Sequence, residues 1–321
     1  AAVAEAASLG HIELDTMKKA GYPRPFAVAI AAASSTIGPI FPPSIPMIVF
    51  SFASGVSVGR LFLGGVLPGL LMTVMLMAMV TWYARRLNLP RGPVPTWALV
   101  FKALVDAILP ILTPVILLGC IWSGLVTPTE AAAIAVCYAL VIGAFAMREL
   151  RWKDLLQVFV ETARESAIIG FVIAGASLFG WMLMKTGTTD QIGEVLLSIS
   201  ENPLVILLVI NIFLLIIGCF LDSTVAILLF APIFLPVIEQ VGIDPVQFGV
   251  VMVLNLMLGL LTPPFGMVLF VIAHIAGMRF EEVVRATLPT LIPLGLVLIL
   301  ITVFPSLVTW VPDLLMGPRL K

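Results

Sequence analysis

The hydrophobic pattern of this chain consists of long runs with at most one charged residue rather than the alternating faces of a soluble domain. The longest runs are Leu61–Met79, Leu104–Val126, Ala131–Met147, Leu204–Leu221 and Thr287–Trp310. At about 1.5 Å per helical residue, runs of this length cross or nearly cross a hydrocarbon layer roughly 30 Å thick. The pattern therefore predicts an all-α polytopic membrane protein with about seven spanning helices and shorter re-entrant segments.

Two of the apolar segments are interrupted by the same motif, G-x-x-x-P-P. It occurs at Gly38–Pro43 and again at Gly259–Pro264, so the helix-breaking pairs are Pro42-Pro43 and Pro263-Pro264. A proline pair cannot continue an α-helix, because each ring removes an N–H donor and clashes with the preceding turn. The sequence therefore predicts two proline-broken helices at membrane depth.

The two breaks belong to an internal repeat. Glycines and prolines recur 221 positions apart as Gly21 and Gly242, Gly38 and Gly259, Pro42 and Pro263, Pro43 and Pro264, and Pro68 and Pro289. Five matches in one register, including a doublet, indicate a duplication that kept its helix breaks.

Charge predicts that the two copies lie in opposite orientations. The first copy carries Lys18, Lys19 and Arg24 where the second copy carries Glu239 and Asp244. Short loops rich in Lys and Arg favour the cytoplasm, so the two equivalent loops are expected on opposite sides of the membrane. The repeat is therefore interpreted as an inverted-topology repeat.

With this orientation, Asn202–Glu239 must enter and leave on the outer side as a re-entrant hairpin that turns near Gly218–Thr224. The tip would hold Asp222, Ser223 and Thr224 at membrane depth, where polar groups are tolerated only if protein or a cavity surrounds them. Two interpretations are open: Asp222 caps a helix, or the tip lies beside a transport site.

Composition agrees with a membrane location and excludes other classes. Hydrophobic residues make up 61% of the chain, charged residues 11%, and the mean hydropathy is +1.17. The net charge of −1 and the lack of a basic aromatic face argue against a nucleic-acid partner. The scattered Cys120, Cys137, Cys219, His11 and His274 predict neither a disulfide nor a transition-metal site.

Broken helices expose the backbone groups that an ion or a carboxylate needs. The half-helix before each break ends in free carbonyls, which suit Na⁺, and the half-helix after it begins with free N–H groups, which suit carboxylates. The candidate Na⁺ ligands are Ser34, Ser35, Thr36, Gly38 and Ser44 at the first break, Asn255, Gly259 and Thr262 at the second, and Asp222, Ser223 and Thr224 at the tip. The alternatives are a simple proline kink, and Ser or Thr hydroxyls bonded back to their own helix.

Two further segments have structural interpretations. Thr127-Pro128-Thr129-Glu130 reads as a capping box, with a coupling role for the Glu130 carboxylate as the alternative. The interleaved charges of Arg148–Glu165 predict an amphipathic helix at the cytoplasmic interface.

Four strings together resemble one transporter family. They are Ala33–Ile45, Gly124–Ala133, Phe220–Ser223 and Gly242–Gly249. In this combination they are similar to the large membrane subunit of tripartite ATP-independent periplasmic (TRAP) transporters, and the resemblance runs from the first residue to about Ile275.

The resemblance implies a fold and a mechanism. The fold would be that of an elevator-type carrier similar to the ion transporter superfamily, in which two hairpins and two broken helices move against a scaffold. The carrier would sit in the bacterial inner membrane and use a Na⁺ gradient, without any cofactor, to import carboxylates such as C4-dicarboxylates. Its partners would be a periplasmic substrate-binding protein and a small four-helix membrane subunit. The sodium-site loops would be Ser34–Ser44 and Gly259–Gly266, which adds Gly266 to the candidates.

The expected domain division follows from the repeat and the resemblance. Residues 1–60 and 202–278 would form the transport parts of the two copies, 61–96 the last helix of the first copy with a cytoplasmic linker, 97–201 the scaffold and amphipathic arm, and 279–321 the C-terminal helix and tail. The register also predicts about 120 residues upstream, including the tip of the first hairpin.

Two other functions are considered. An intramembrane enzyme would need a buried acid/base pair or a metal cluster, whereas Asp222 is isolated within its span. A carrier of the related anion-symporter architecture would work without a binding protein.

Overall fold

The computed structural model describes residues 2–90, 96–148 and 150–318, and every regular element in these ranges is helical. The first helices in chain order are α1 (Ala2–Lys19), α2 (Arg24–Ser34), α3 (Ile45–Ser54), α4 (Val58–Arg86), α5 (Trp97–Ser123), α6 (Pro128–Val141) and α7 (Trp152–Lys185). They are followed by α8 (Thr188–Ile199), α9 (Pro203–Gly218), α10 (Ser223–Gln240), α11 (Pro245–Gly259), α12 (Met267–Ala276), α13 (Phe280–Thr287), α14 (Leu291–Val303) and α15 (Ser306–Met316). The prediction of an all-α protein is confirmed.

Six helical segments of the described chain are long and apolar enough to cross a membrane. They are Val58–Arg86, Trp97–Ser123, Pro128–Ala146, Lys153–Leu183, Ser223–Gln240 and Phe280–Val303. A seventh candidate is the pair Gln191–Ile199 and Pro203–Gly218, bent by 119° at a short break. These numbers agree with the expected count of about seven.

The helices divide between two compact units. One unit is formed by the chain before residue 91 and after residue 175, and the other by the chain between them. Both broken helices and the α9–α10 pair belong to the first unit. Residues 91–95, part of the predicted cytoplasmic linker, lie outside the described residues, and the assignment of transport and scaffold roles stays a prediction.

The 221-residue repeat reappears in the helix boundaries. Helix α10 ends 221 positions after α1, and α11 begins 221 positions after α2. The glycines that follow α1 and α10, Gly21 and Gly242, have nearly equal left-handed φ angles of 81° and 79°. Glycine adopts this conformation at little steric cost, so the two copies turn in the same way at the same place.

The packing of the two copies is also equivalent. Helix α1 packs on α2 of its own copy and on α12 of the other, and α10 packs on α11 of its own copy and on α3 of the other. Helices α1 and α10 therefore each contact one half-helix from each broken helix.

Helices α5 and α6 pack together in the second unit, and α6 starts with a complete capping box. Thr127 Oγ1 accepts a hydrogen bond from the Glu130 N–H at 3.3 Å, and Glu130 Oε2 accepts one from the Thr127 N–H at 2.7 Å. The capping interpretation is confirmed. A π-helical segment, Ile142–Ala146, then extends the helix.

Two predicted segments differ in their boundaries. The charged segment Arg148–Glu165 contributes the first turns of α7, which runs on without a break to Lys185 instead of ending as a separate interfacial helix. The run Thr287–Trp310 is divided, because a 3₁₀ turn at Leu288–Thr290 precedes α14 and Pro305 separates α14 from α15.

Candidate functional site

The first break lies between the end of α2 and the start of α3. The Pro42–Pro43 peptide bond is cis. Ser44 caps α3: its Oγ accepts a hydrogen bond from the Met47 N–H at 3.2 Å and donates one to the Pro39 carbonyl. The fully buried Ser44 thus joins the loop to the second half-helix.

The three consecutive hydroxyls at the end of α2 are bonded back to their own helix. Ser34, Ser35 and Thr36 donate to the carbonyls three residues earlier at 3.2, 2.9 and 2.7 Å. This confirms the interpretation that the three hydroxyl protons are hydrogen-bonded to their own helix. The lone pairs of the same oxygen atoms can still coordinate an ion.

Glu5 of α1 lies against the first break, and sequence reasoning missed it. A Cβ added to Gly38 would clash with Oε2 of Glu5, so the half-buried carboxylate touches the loop. The carbonyl oxygens of Thr36 and Gly38 accept no hydrogen bond from the described residues. The sequence signal for Glu5 was its position as the single acidic residue in the otherwise apolar first turns of α1.

The second break lies between the end of α11 and the start of α12. Its Pro263–Pro264 peptide bond is also cis. Thr262 Oγ1 donates to the Leu258 carbonyl at 2.7 Å, whereas the Thr262 carbonyl accepts no hydrogen bond within the described chain. Gly266, with φ of 53°, precedes α12 and provides no side-chain cap.

The α9–α10 tip meets the second break through bare backbone. A Cβ on Gly259 would lie 2.6 Å from Cα of Gly218, so the two glycines are in direct backbone contact. The rings of Phe220 at the tip and Phe265 in the break are 5.6 Å apart. The structure therefore brings together the tip and the second break, the two places from which candidate Na⁺ ligands were drawn.

Asp222 caps α10 at this tip. Its Oδ1 accepts a hydrogen bond from the Thr224 N–H at 2.8 Å, and the neighbouring Ser223 is buried. The capping interpretation is confirmed, and a direct role of the tip in transport stays a prediction.

A buried polar network lies one turn before the second break. Asn255 Nδ2 donates to both the carbonyl and Oδ1 of Asn211, at 2.9 and 2.8 Å, and Asn211 Nδ2 donates to Thr302 Oγ1 at 3.0 Å. Oδ1 of the fully buried Asn255 has no hydrogen-bond partner in the described part of the chain. The network thus joins α9, α11 and α14.

Sequence reasoning identified Asn255 but not its partners Asn211 and Thr302. The signal for Asn211 was an amide inside the run Leu204–Leu221, where polar side chains are costly unless paired. With Thr262, these residues line a largely apolar cavity of about 470 Å³.

The described residues contain no group of three His, Cys, Asp or Glu side chains that could hold a metal ion. All three cysteines are free thiols. The ion chemistry available at the two breaks is therefore that of carbonyl, hydroxyl and carboxylate oxygens.

In the described chain, six helices long enough to cross a membrane, together with two proline-broken helices, define a multi-pass membrane protein of the carrier type. Residues 1–307 match the family described as tripartite ATP-independent periplasmic transporter, DctM component, and the chain belongs to this family. The resemblance seen in the sequence is confirmed, and with it the location in the inner membrane.

Curated relatives match nearly the whole chain. It is 40% identical to the sialic acid TRAP transporter large permease protein SiaM of Vibrio cholerae, over 98% of this chain and 74% of that protein. It is 35% identical to the 2,3-diketo-L-gulonate TRAP transporter large permease protein YiaN of Escherichia coli, over 96% and 72%. It is 38% identical to the C4-dicarboxylate TRAP transporter large permease protein DctM of Pseudomonas aeruginosa, over 97% and 73%. These relatives are transporter permeases rather than enzymes.

Proposed function

We propose that this large permease component imports a carboxylate, such as a C4-dicarboxylate, by sodium-coupled secondary transport with an elevator mechanism. The observation that carries the proposal is the backbone contact between Gly218 and Gly259, which brings a hairpin tip onto a proline-broken helix. Discontinuous helices that meet a hairpin tip provide unpaired backbone groups around a central site.

Sodium coupling is supported by the oxygen atoms at the breaks. The carbonyls of Thr36, Gly38 and Thr262 accept no hydrogen bond within the described residues, and the Glu5 carboxylate lies beside Gly38. Neutral oxygens with one nearby negative charge suit a hard monovalent cation. The proposed Na⁺ ligands are therefore drawn from the candidates at both breaks and the tip, with Glu5 added.

Carboxylate binding is supported by the start of α12. Ser44 caps α3 with its side chain, whereas Gly266 gives α12 no side-chain cap. The positive end of the α12 helix is therefore the better-suited place for a substrate carboxylate.

The elevator and the inverted repeat are supported by the equivalence of the two copies. Helices α1 and α10 make equivalent contacts, and the turns after them are flanked by Lys18, Lys19 and Arg24 in the first copy and by Glu239 and Asp244 in the second. We assign the transport role to the unit that contains both breaks, and the scaffold role to the unit that contains α5 and α6.

The partners follow from the family. Its description names a tripartite periplasmic transporter, and we assign the other two components as a periplasmic substrate-binding protein and a small four-helix membrane subunit. The relatives are named for sialic acid, a diketogulonate and C4-dicarboxylates. Because such different substrates accompany similar permeases, we assign much of the selectivity to the binding protein.

The test is uptake of labelled carboxylates by the complete transporter in proteoliposomes. Uptake should require an inward Na⁺ gradient and the binding protein, and it should stop when the gradient is dissipated. Uptake that persists on a proton gradient alone would refute sodium coupling. Uptake without the binding protein would favour the related anion-symporter architecture.

A further inference from the structure

A polar cavity of about 350 Å³ lies at the other end of the first copy, away from its break. It is formed by the last turns of α1, the turn that follows, the start of α2 and the end of α12. His11, Lys18, Tyr22 and Arg24 contribute polar side chains to its wall. The cavity therefore differs from the candidate site in both place and charge.

The wall carries an excess of positive charge. Lys18 and Arg24 form no ion pair within the described residues, while the carboxylate of Asp15, which also lines the cavity, is paired with Lys19 at 2.6 Å. Lys19 itself does not line the cavity. Two unpaired cations thus face a space in which the local carboxylate is already neutralised.

The start of α2 adds uncapped N–H groups to the same place. Its N-cap residue is Pro23, which makes no side-chain cap, and the N–H groups of Arg24 and Phe26 make no hydrogen bond within the described residues. In the second copy the equivalent N-cap is Asp244, whose carboxylate accepts a hydrogen bond from the Val246 N–H at 2.7 Å, whereas the equivalent of Val246 in the first copy is Pro25, which has no N–H. An anion from outside the chain can bind at this helix start, since helix N-termini favour negative charge.

Arg24 connects the two copies across the cavity. A Cβ on Gly277, which ends α12, would lie 3.5 Å from Nη2 of Arg24, so the guanidinium reaches the end of that helix. Helix α2 belongs to the first copy and α12 to the second. An anion held by Arg24 and Lys18 would therefore link the two copies at this end.

We propose that this cavity binds a phosphate group, either the headgroup of an anionic lipid or a free phosphate ion. Lys and Arg donors beside a helix N-terminus provide the charge-assisted hydrogen bonds that phosphate oxygens accept. The positive loop Lys18–Arg24 favours the cytoplasmic face, where anionic lipids attract basic segments. This function goes beyond ion-coupled transport.

The test is thermal unfolding of the purified, detergent-solubilised protein with three probes: dihexanoyl-phosphatidylglycerol, dihexanoyl-phosphatidylcholine and inorganic phosphate. Phosphatidylglycerol should raise the midpoint and phosphatidylcholine should not. A higher unfolding midpoint with inorganic phosphate would show that the free ion is sufficient for binding. A higher midpoint with phosphatidylglycerol alone would identify the lipid headgroup as the ligand. Equal effects of the two lipids, or no shift with phosphatidylglycerol and phosphate, would overturn the proposal.

The structure supplies matched variants. The double variant Lys18→Gln, Arg24→Gln should weaken the response to phosphatidylglycerol by about tenfold in concentration. Pro23→Asp should also weaken it, because it places a negative charge at the start of α2, where that charge repels the phosphate. Arg85→Gln in the last turn of α4 removes a charge that forms no ion pair in the described chain and does not line the cavity, and it should respond like the original protein. An equal loss in Arg85→Gln would show a general surface-charge effect and refute the site. Because the assay does not measure transport, its failure would leave sodium coupling unaffected.

Discussion

Gly259 shows at the scale of one residue how closely the hairpin tip and the second break approach. A methyl group there would lie 2.6 Å from Cα of Gly218, closer than van der Waals contact allows. The obstacle is backbone rather than the end of a flexible side chain, so α9 and α11 would have to separate. Overpacking of this kind costs about 1–3 kcal/mol, enough to displace a tip that must be placed accurately.

We predict that Gly259→Ala lowers sodium-driven uptake by about tenfold or more, while the protein still inserts into the membrane. The measurement is initial uptake in proteoliposomes, corrected for the amount of inserted protein. The control is Gly295→Ala in α14, where an added Cβ meets nothing within 4 Å. Equal activity of both variants and the original protein would contradict the close approach.

Asp222 allows the capping role to be separated from a charge-dependent role. Asp222→Ala removes the acceptor for the Thr224 N–H and should cost about 1 kcal/mol of stability. Asp222→Asn keeps an acceptor but removes the charge. We predict that both variants need more Na⁺ for half-maximal uptake, and that Asp222→Ala alone is less stable. Unchanged sodium activation in Asp222→Asn would restrict Asp222 to capping.

Thr262 is tested in the same assay. We predict that Thr262→Ala weakens sodium activation, because it removes the hydroxyl that fixes the last turn of α11 through the Leu258 carbonyl. Thr262→Ser keeps that hydroxyl and serves as the control. If Thr262→Ala and Asp222→Ala both show unchanged sodium activation, the assignment of Na⁺ ligands at the second break and the tip is wrong.

At the scale of helices, the Asn255–Asn211 pair joins the hairpin arm α9 to the broken helix α11. Replacing Asn255 by Leu removes the donor to two oxygen atoms of Asn211 and leaves its half-buried Oδ1 without that partner. Such a loss costs about 1–3 kcal/mol. The chain offers Asn211→Leu as the matched change on the other helix.

We predict that the double variant Asn211→Leu, Asn255→Leu loses less stability than the sum of the two single variants, because each single change already breaks the hydrogen bond between Asn255 Nδ2 and Asn211 Oδ1. The measurement is a double-mutant cycle by reversible unfolding in detergent. Strict additivity within about 0.5 kcal/mol would show that the pair makes no net contribution to the packing of α9 on α11.

Local patterns in the sequence predicted most helices and their caps. The capping box at Thr127 and Glu130 and the repeated breaks depend on residues close together in the chain, so spacing alone located them. Glu5 and Asn211 were missed because their roles arise only when separate helices meet, at Gly38 and at Asn255. The joining of the charged Arg148–Glu165 segment to an apolar span in α7 was missed because the change in composition resembled a boundary.

At the scale of the whole molecule, the two units allow the elevator proposal to be tested directly. The unit with both breaks should move as one body, because its polar network and backbone contacts connect α9, α11 and α14. A rigid body that moves against a scaffold changes distances between the units but not within either one.

We predict that spin labels at Leu125 in the second unit and Ile292 in the first change their separation by roughly 5 Å or more, about one helical turn, when Na⁺ and substrate are added to the complete transporter. A second pair, Phe52 and Ile292, lies within the first unit and should keep its distance.

All three positions are exposed, so labelling should not disturb packing. The native cysteines at 120, 137 and 219 would first be replaced by alanine. The measurement is double electron–electron resonance in nanodiscs. Unchanged Leu125–Ile292 distances would exclude an elevator. A change in the Phe52–Ile292 distance would show local rearrangement within the first unit instead of rigid-body movement.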